Sequence, residues 1–587
     1  MIENMIDKVS YFFRMSWISG PIFEKELRVS SRRRRNYVLR FIYLALLTFF
    51  LIMVWTVMVR SRSYGSASYQ VSRLSEAGKA IVAYIVWFQF CAAILIAMVM
   101  LSTSISDEIY KKTLGALMTT PINSFQIVMG KLASKLLQIT LLLGISFPLL
   151  AIVRVFGGVP WGFIIAGICI TLSTVIFVGS ISLFFSILNR RAYVVIINSI
   201  LTLGIIFAGL PLLAALIAIE FTPFRDVQFF SALSYVNPFI TLGAATEQMV
   251  DARTSLSFSW PINCLVMLAG AAVILSIAIS LVRKVALRQA TGQINTSNRK
   301  SMRAASLANS GIARFKRVKG SPVFWKELRA PLLGRRKGLT IFFISIALVG
   351  LLISYCILEA HHDLEDEEVH MFFAVVFMSL GMLITIVLPA TSITSEKESR
   401  SWPILLSTPL SDTHIVTAKY LAAVRRCLPI WALMFGHLVL FSLVGYIHPF
   451  AIFQMAVVVT GLILLLAGSG LYFSARFKHT TTAVVMNFAL VVLIWGFIPL
   501  AMTVAAEIAN FSESYVDLYC NSIPFVQAVV VMDLTASGTL EYTAHWPSWD
   551  MNFLVSTLLM LAFMMVNVIA GLLFAWGAKS IFRRKIF

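Results

Sequence analysis

The chain carries one plan twice. Pro21-Ile22-Phe23-Glu24-Lys25-Glu26-Leu27-Arg28 recurs as Pro322-Val323-Phe324-Trp325-Lys326-Glu327-Leu328-Arg329. A basic cluster follows each copy: Arg32, Arg33, Arg34 and Arg35 after the first, Arg335, Arg336 and Lys337 after the second. A long apolar run comes next in both cases. Duplication on this scale sets the architecture before any single residue is interpreted. It also points toward transport, because many transporters are built from repeated membrane bundles.

Composition decides what kind of bundle. Of 587 residues, 59% are hydrophobic and only 13% charged, and the mean hydropathy is +0.86. A soluble domain is about half apolar and about a quarter charged. Apolar runs of about 20 residues recur throughout, each long enough as a helix to cross a ~30 Å hydrocarbon core. The runs are continuous rather than alternating, which excludes a transmembrane barrel. The net charge of +21 lies in short stretches that flank the runs. That is a positive-inside pattern and argues against a nucleic-acid partner. The six cysteines show no paired spacing, so no disulfide framework or zinc set is expected. The N-terminus has no early apolar core of a cleavable signal.

The runs fall at about 37–59, 80–104, 132–156, 161–188, 193–219 and 262–282, then at about 338–358, 371–392, 420–447, 450–473, 481–506 and 552–577. The expected fold is therefore an all-α polytopic membrane protein, a tandem parallel repeat of six transmembrane helices each, with about 12 spans. Residues 507–551 and 359–370 contain acidic residues but no Lys or Arg, which places them outside. Segments with Arg32–Arg35, Lys111, Lys112, Arg190, Arg191, Arg425 and Arg426 are inside, so both termini are cytoplasmic. The loop with Arg60, Arg62, Arg73 and Lys79 departs mildly from the rule.

Five segments follow: an amphipathic interfacial stretch at 1–36, a first six-helix unit at 37–282, and a basic linker with the second interfacial motif at 283–337. A second unit spans 338–578 and a basic tail 579–587. Within the first stretch, Ile6, Val9, Phe13 and Trp17 recur at helical spacing. The linker, rich in Ser, Asn, Gln and Arg from 289 to 309, reads as solvated and flexible.

The segment between the second and third runs of each unit is the most specific signal. Ile105-Ser106-Asp107-Glu108-Ile109-Tyr110-Lys111-Lys112-Thr113-Leu114-Gly115-Ala116-Leu117-Met118-Thr119-Thr120-Pro121 aligns without a gap to Ile393-Thr394-Ser395-Glu396-Lys397-Glu398-Ser399-Arg400-Ser401-Trp402-Pro403-Ile404-Leu405-Leu406-Ser407-Thr408-Pro409. The match continues to Lys131 and Lys419. Ser124 and Ser411 read as N-caps of the helices that follow, and Pro403 reads as a break in the second copy's helix.

Here the chain resembles the ABC-2 family of ABC transporter permeases, over both halves. The resemblance implies two permease units fused in one chain, acting as a pseudo-dimer in a cell membrane, the prokaryotic plasma or inner membrane. It implies that the loops form ATPase-coupling helices carrying Glu108, Thr113, Leu114, Thr120, Pro121, Glu396, Glu398, Thr408 and Pro409. Lys25, Glu26, Arg28, Lys326, Glu327 and Arg329 become interfacial motifs. The excursions before the last span of each half resemble re-entrant external helices. The copies depart from the family where Tyr110, Lys112, Gly115, Ser401, Trp402 and Pro403 stand, so the two loops are not equivalent.

No Gly-x-x-x-x-Gly-Lys-Ser/Thr phosphate loop occurs, and no catalytic set appears in the cytoplasmic segments. The chain is therefore expected to be no enzyme and to hold no cofactor. ATP and Mg belong on a partner, two ATP-binding cassette ATPase subunits, and transport runs as export. An ion-gradient-driven twelve-span transporter remains an alternative, although its usual mid-membrane acidic residues are scarce here. A non-transporting coupling module is a third reading.

Overall fold

A lipid environment forces every backbone N–H and C=O in a span to pair within its own helix. The computed structural model follows that rule. It describes residues 21–26, 28, 37, 40–41, 43–49, 51–52, 67–111, 113–117, 119–120, 122–154, 158–189, 191–213, 235–250, 259–290, 321–329, 337–509, 513–535, 543–544 and 551–582. The amphipathic stretch at 6–17, the linker middle from 291 to 309, Pro121 and the basic end of the tail lie outside these residues. So does the second part of the expected first span, 53–59.

Contacts divide the chain into two compact units, 1–195 with 230–317 and 196–229 with 318–587. In the first, α1 (Ala67–Ser102) is followed by the short α2 (Ser106–Lys111) and α3 (Leu114–Leu117). Then come α4 (Ser124–Arg154), α5 (Trp161–Leu188) and α6 (Ala192–Gly204), which passes into the second unit at residue 196, and later α7 (Pro238–Val250) and α8 (Trp260–Ala290) of the first. The second unit opens with α9 (Pro322–Leu328), α10 (Lys337–Ala360) and α11 (Glu367–Ala390). The short α12 (Thr394–Glu398) and α13 (Trp402–Leu406) lead to α14 (Asp412–Val444), α15 (Phe450–Arg476) and α16 (Thr480–Val492). After α17 (Ile498–Ala509), α18 (Glu513–Cys520) and α19 (Pro524–Thr535), α20 (Phe553–Ile581) closes the unit.

Among the described residues ten helices are long and apolar enough to span a membrane. The helices α18 and α19 form a pair bent by 88°, the geometry of a broken or re-entrant element. Two details refine the sequence reading. A two-residue strand pair, Thr543–Ala544 with Met551–Asn552, precedes α20. Residues 196–213, expected in the first bundle, group with the second unit. There Leu213 lies 2.8 Å from where a Cβ on Gly350 would be, so the end of that span rests on α10.

Prolines leave matched signatures. A π-turn at Ile205–Gly209 precedes Pro211, and another at Leu493–Phe497 precedes Pro499. Proline removes one N–H and crowds the carbonyl four residues back, and a wider turn relieves both.

The loop-bearing ends of the helices pack together in each unit. In the first, Leu114 joins Leu101, Ile105, Leu132, Leu183 and Val282 in one core. In the second, Val323, Ile393, Trp402, Leu405, Ile415 and Leu471 do the same, with the Trp402 and Phe582 rings 4.8 Å apart. The loop is thus part of the bundle core in both copies, and in the second the interfacial helix joins it through Val323.

Candidate functional site

Each loop begins where α1 or α11 ends, and its first N–H groups need acceptors. A buried serine on the fourth span supplies them. Ser186 Oγ accepts from Ile105 and Ser106 at 3.1 and 2.9 Å. Ser474 Oγ accepts from Ile393 and Thr394 at 2.8 and 2.9 Å. The sequence reading missed both serines; their identical offset in the two copies was the available signal.

Both loops then break. The breaks fall between α2 and α3 and between α12 and α13, so Pro403 is not their cause. It sits in the first turn of α13, where a missing N–H costs nothing. In the second copy Arg400 turns the chain at φ 53°. The cap expected at Ser124 also needs correction. Ser124 is already helical, and the preceding Asn123 donates its N–H to Gln126 Oε1 at 3.1 Å. Ser411 is a true N-cap, accepting from His414 N–H at 3.4 Å.

The centre of each site is a lysine that the sequence reading treated only as the end of an alignment. Lys131 pairs with Glu108 at 2.7 Å and with Glu26 at 3.8 Å. Lys135, one turn on, pairs with Glu26 at 3.5 Å. In the second copy Lys419, fully buried, meets Glu327 at 2.7 Å and Glu396 at 3.1 Å. Its third donor reaches the Ser392 carbonyl at 3.2 Å. Arg426 approaches Glu327 at 3.7 Å, and Lys326 pairs with Glu396 at 2.7 Å. A buried ammonium is tolerable only when its charge and hydrogens are satisfied. Two carboxylates from two distant segments do that here, and in doing so pin the loop and the interfacial helix to the third span.

Burial opposes ionisation of Glu327, but Lys419 and Arg426 outweigh it and hold its carboxyl below the ordinary value of 4.5. A carboxyl with a lowered folded-state value stabilises the fold above its ordinary value and gives that stability up as pH falls through the folded one. The stability difference between wild type and Glu327→Gln should stay flat from neutral pH down to 4.5 and shrink only below it. Thermal unfolding across that range measures this.

The remaining predicted residues occupy varied places. Lys25 and Arg28 are exposed, and Arg329 stacks 3.7 Å over the Trp325 ring. Thr113 is exposed and donates its N–H to the Glu108 carbonyl at 3.0 Å, while Leu114 is buried. Thr120 and Thr408 close the loops through their hydroxyls onto Leu117 and Leu405, and Pro409 is exposed. Glu398 turns to Thr480, at 2.7 Å. The exposed side of the second loop carries Pro403, Ile404 and Ser407, with Ile404 70% accessible; the matching side of the first carries Ala116 and Thr119. Elsewhere, buried His437 is bonded to Tyr355 Oη at 2.7 Å, and among the described residues no metal-binding cluster occurs.

A duplicated helical membrane bundle, with each loop after the second span clamped to the third, defines a permease. Residues 21–287 match a family described as ABC-2 family transporter protein, and residues 332–535 match a second of the same description. The chain belongs to the ABC-2 family of transporter permeases and is a multi-pass membrane protein with two such domains in tandem. Comparison with curated proteins gave no match.

Proposed function

We propose that this chain is the permease subunit of an ATP-driven exporter in a prokaryotic plasma membrane, powered by two separate ATP-binding cassette subunits. One chain supplies both permease halves. The observation that carries this reading is the clamp built twice around Lys131 and Lys419. A loop held at both ends by spans and locked by a buried lysine can pass on a push as a rigid body. The family normally works with cassette ATPases, and no phosphate-loop sequence occurs in this chain. The carboxylates at the centre face inward, which leaves the exposed side of α13 to meet the motor.

Ile404 is the large apolar side chain on that side and would act as an anchor residue. Ile404→Asp should weaken capture of the cassette subunit by about tenfold or more, the scale of losing an interface hot spot. A pull-down from nanodisc-embedded chain measures it. Undiminished capture would remove the second loop from the docking surface.

A further inference from the structure

Lys397 and Glu398 are neighbours on α12, and they reach the two sides of one turn. Lys397 Nζ donates to the carbonyls of Ser474 and Phe477, at 3.1 Å each, and to that of Ala475. These are the carbonyls that the end of α15 leaves without a helical partner. Glu398 accepts from the Thr480 N–H at 2.7 Å and from the Thr480 hydroxyl at 2.7 Å. That N–H opens α16. A cation thus sits at a helix C-terminus and an anion at the next N-terminus, each matched to the local dipole. Lys397 also lies 5.9 Å from the Trp402 ring centroid, which joins α13 to the same fastening.

The first copy is built differently. Ile109 and Tyr110 stand where Lys397 and Glu398 do, and Ala192 stands at the position of Thr480. Both partners of the carboxylate–hydroxyl contact have been exchanged together. The end of α5 is closed from within instead: Asn189 Nδ2 donates to the Phe185 carbonyl at 3.4 Å and its own N–H to the same oxygen at 2.9 Å. The counterpart of Asn189 is Phe477, which has no side-chain donor. One turn caps itself, and the other is capped by the loop.

We infer that Lys397 and Glu398 are positioning residues that fasten the second loop to the α15–α16 turn, so that displacement of this loop moves both helices as one piece. The first loop acts on its third span through Lys131, and its Ile109, Tyr110 and Ala192 offer neither the ammonium, the carboxylate nor the hydroxyl of this second linkage. The two halves therefore respond unequally to two equal motor subunits. The inference rests on the reading of the loops as motor-facing.

The test has two arms. In the first, hydrogen exchange is followed at the Thr480 and Ala192 amides of the full chain in nanodiscs, with no ATPase present. Thr480 should exchange at least about tenfold more slowly than Ala192, and Lys397→Met with Glu398→Ala should erase that gap, while Glu398→Gln, which keeps an acceptor, retains most of it. Grafting Ile109→Lys, Tyr110→Glu and Ala192→Thr together should slow exchange at position 192. In the second arm, the double variant complexed with its ATPase should lose about threefold or more in kcat, with KM for ATP and subunit capture unchanged within about twofold. Equal exchange at the two wild-type amides overturns the fastening. An unchanged kcat in a variant whose Thr480 amide has been released overturns the positioning role. If the wild-type chain captures no cassette ATPase, the functional reading fails, and the exchange arm still decides the fastening by itself.

Discussion

Replacing Lys419 with methionine is expected to destabilise the second unit by about 3–5 kcal/mol, the cost of breaking a buried ion pair from one side. The side chain is fully buried, and its volume is nearly conserved by methionine, so packing is not the issue. What remains is Glu327 and Glu396 facing the vacated position, at distances that Lys419 had bridged at 2.7 and 3.1 Å. Arg426 still attends Glu327 at 3.7 Å and Lys326 still attends Glu396 at 2.7 Å, but the shared ammonium between the two carboxylates is gone. The same change at Lys131 should cost less, about 1–2 kcal/mol, because Glu26 and Glu108 are partly hydrated and Lys135 stays beside Glu26. Adding Glu327→Gln and Glu396→Gln to Lys419→Met should recover most of the loss, since the uncompensated charge is then gone. Thermal unfolding of the three variants beside the wild type in detergent checks the ranking. A Lys419→Met protein as stable as Lys131→Met would show that the second clamp is not the tighter one.

That asymmetry could not be read from the residues in order. The spans were legible because lipid imposes continuous apolar runs, and the loops because their copies align without a gap. Leu114 and Glu108 stand out in the aligned loops, but nothing in the segment says where they point. Lysines inside long apolar helices have no local explanation. Lys419 is accommodated by carboxylates arriving from Glu327 and Glu396, which are remote in the chain and meet it only after the bundle packs. Ser186 and Ser474 look like ordinary small polar residues of a membrane helix until the N–H groups beside them are counted. Pro403 misled for the opposite reason. Its local effect is strong, yet both copies break at that point, so the break belongs to the shared fold and proline merely tolerates it. The two copies, compared position by position, held more information than either alone: Lys131 with Lys419 and Ser186 with Ser474 stay fixed, whereas Glu398 and Thr480 change together to Tyr110 and Ala192.

Gly468→Ala is expected to be as damaging as a large core substitution, although it adds one methyl group. Membrane helices gain little from hydrophobic segregation and depend on close packing through small residues. In the second unit α15 and α20 approach at their backbones. A Cβ on Gly468 would collide with the carbonyl of Gly571, and one on Gly571 with the carbonyl of Leu464. Seven residues earlier, a Cβ on Gly461 would lie 3.1 Å from the Cα of Met564. A flexible side chain could swing away, but a helix backbone cannot, so the two helices must separate along their shared face. A loss of about 3 kcal/mol or more follows for Gly468→Ala, at or above the upper range for overpacking, and more for Gly571→Val. Separation would also loosen the inner core, where Leu471 of α15 and Ala578 of α20 pack with Trp402 and Ile415. Ser474 lies on the same helix as Gly468, so its hold on the Ile393 and Thr394 N–H groups should weaken too. Gly144→Ala is the matched control: its Cβ would meet nothing within 4 Å, and the lower backbone entropy cost of alanine should raise stability by up to about 1 kcal/mol. The chemical change is identical at the two sites, so a difference of opposite sign in thermal unfolding can come only from the helix contact. Equal effects at Gly468 and Gly144 would mean that α15 and α20 do not meet at their backbones.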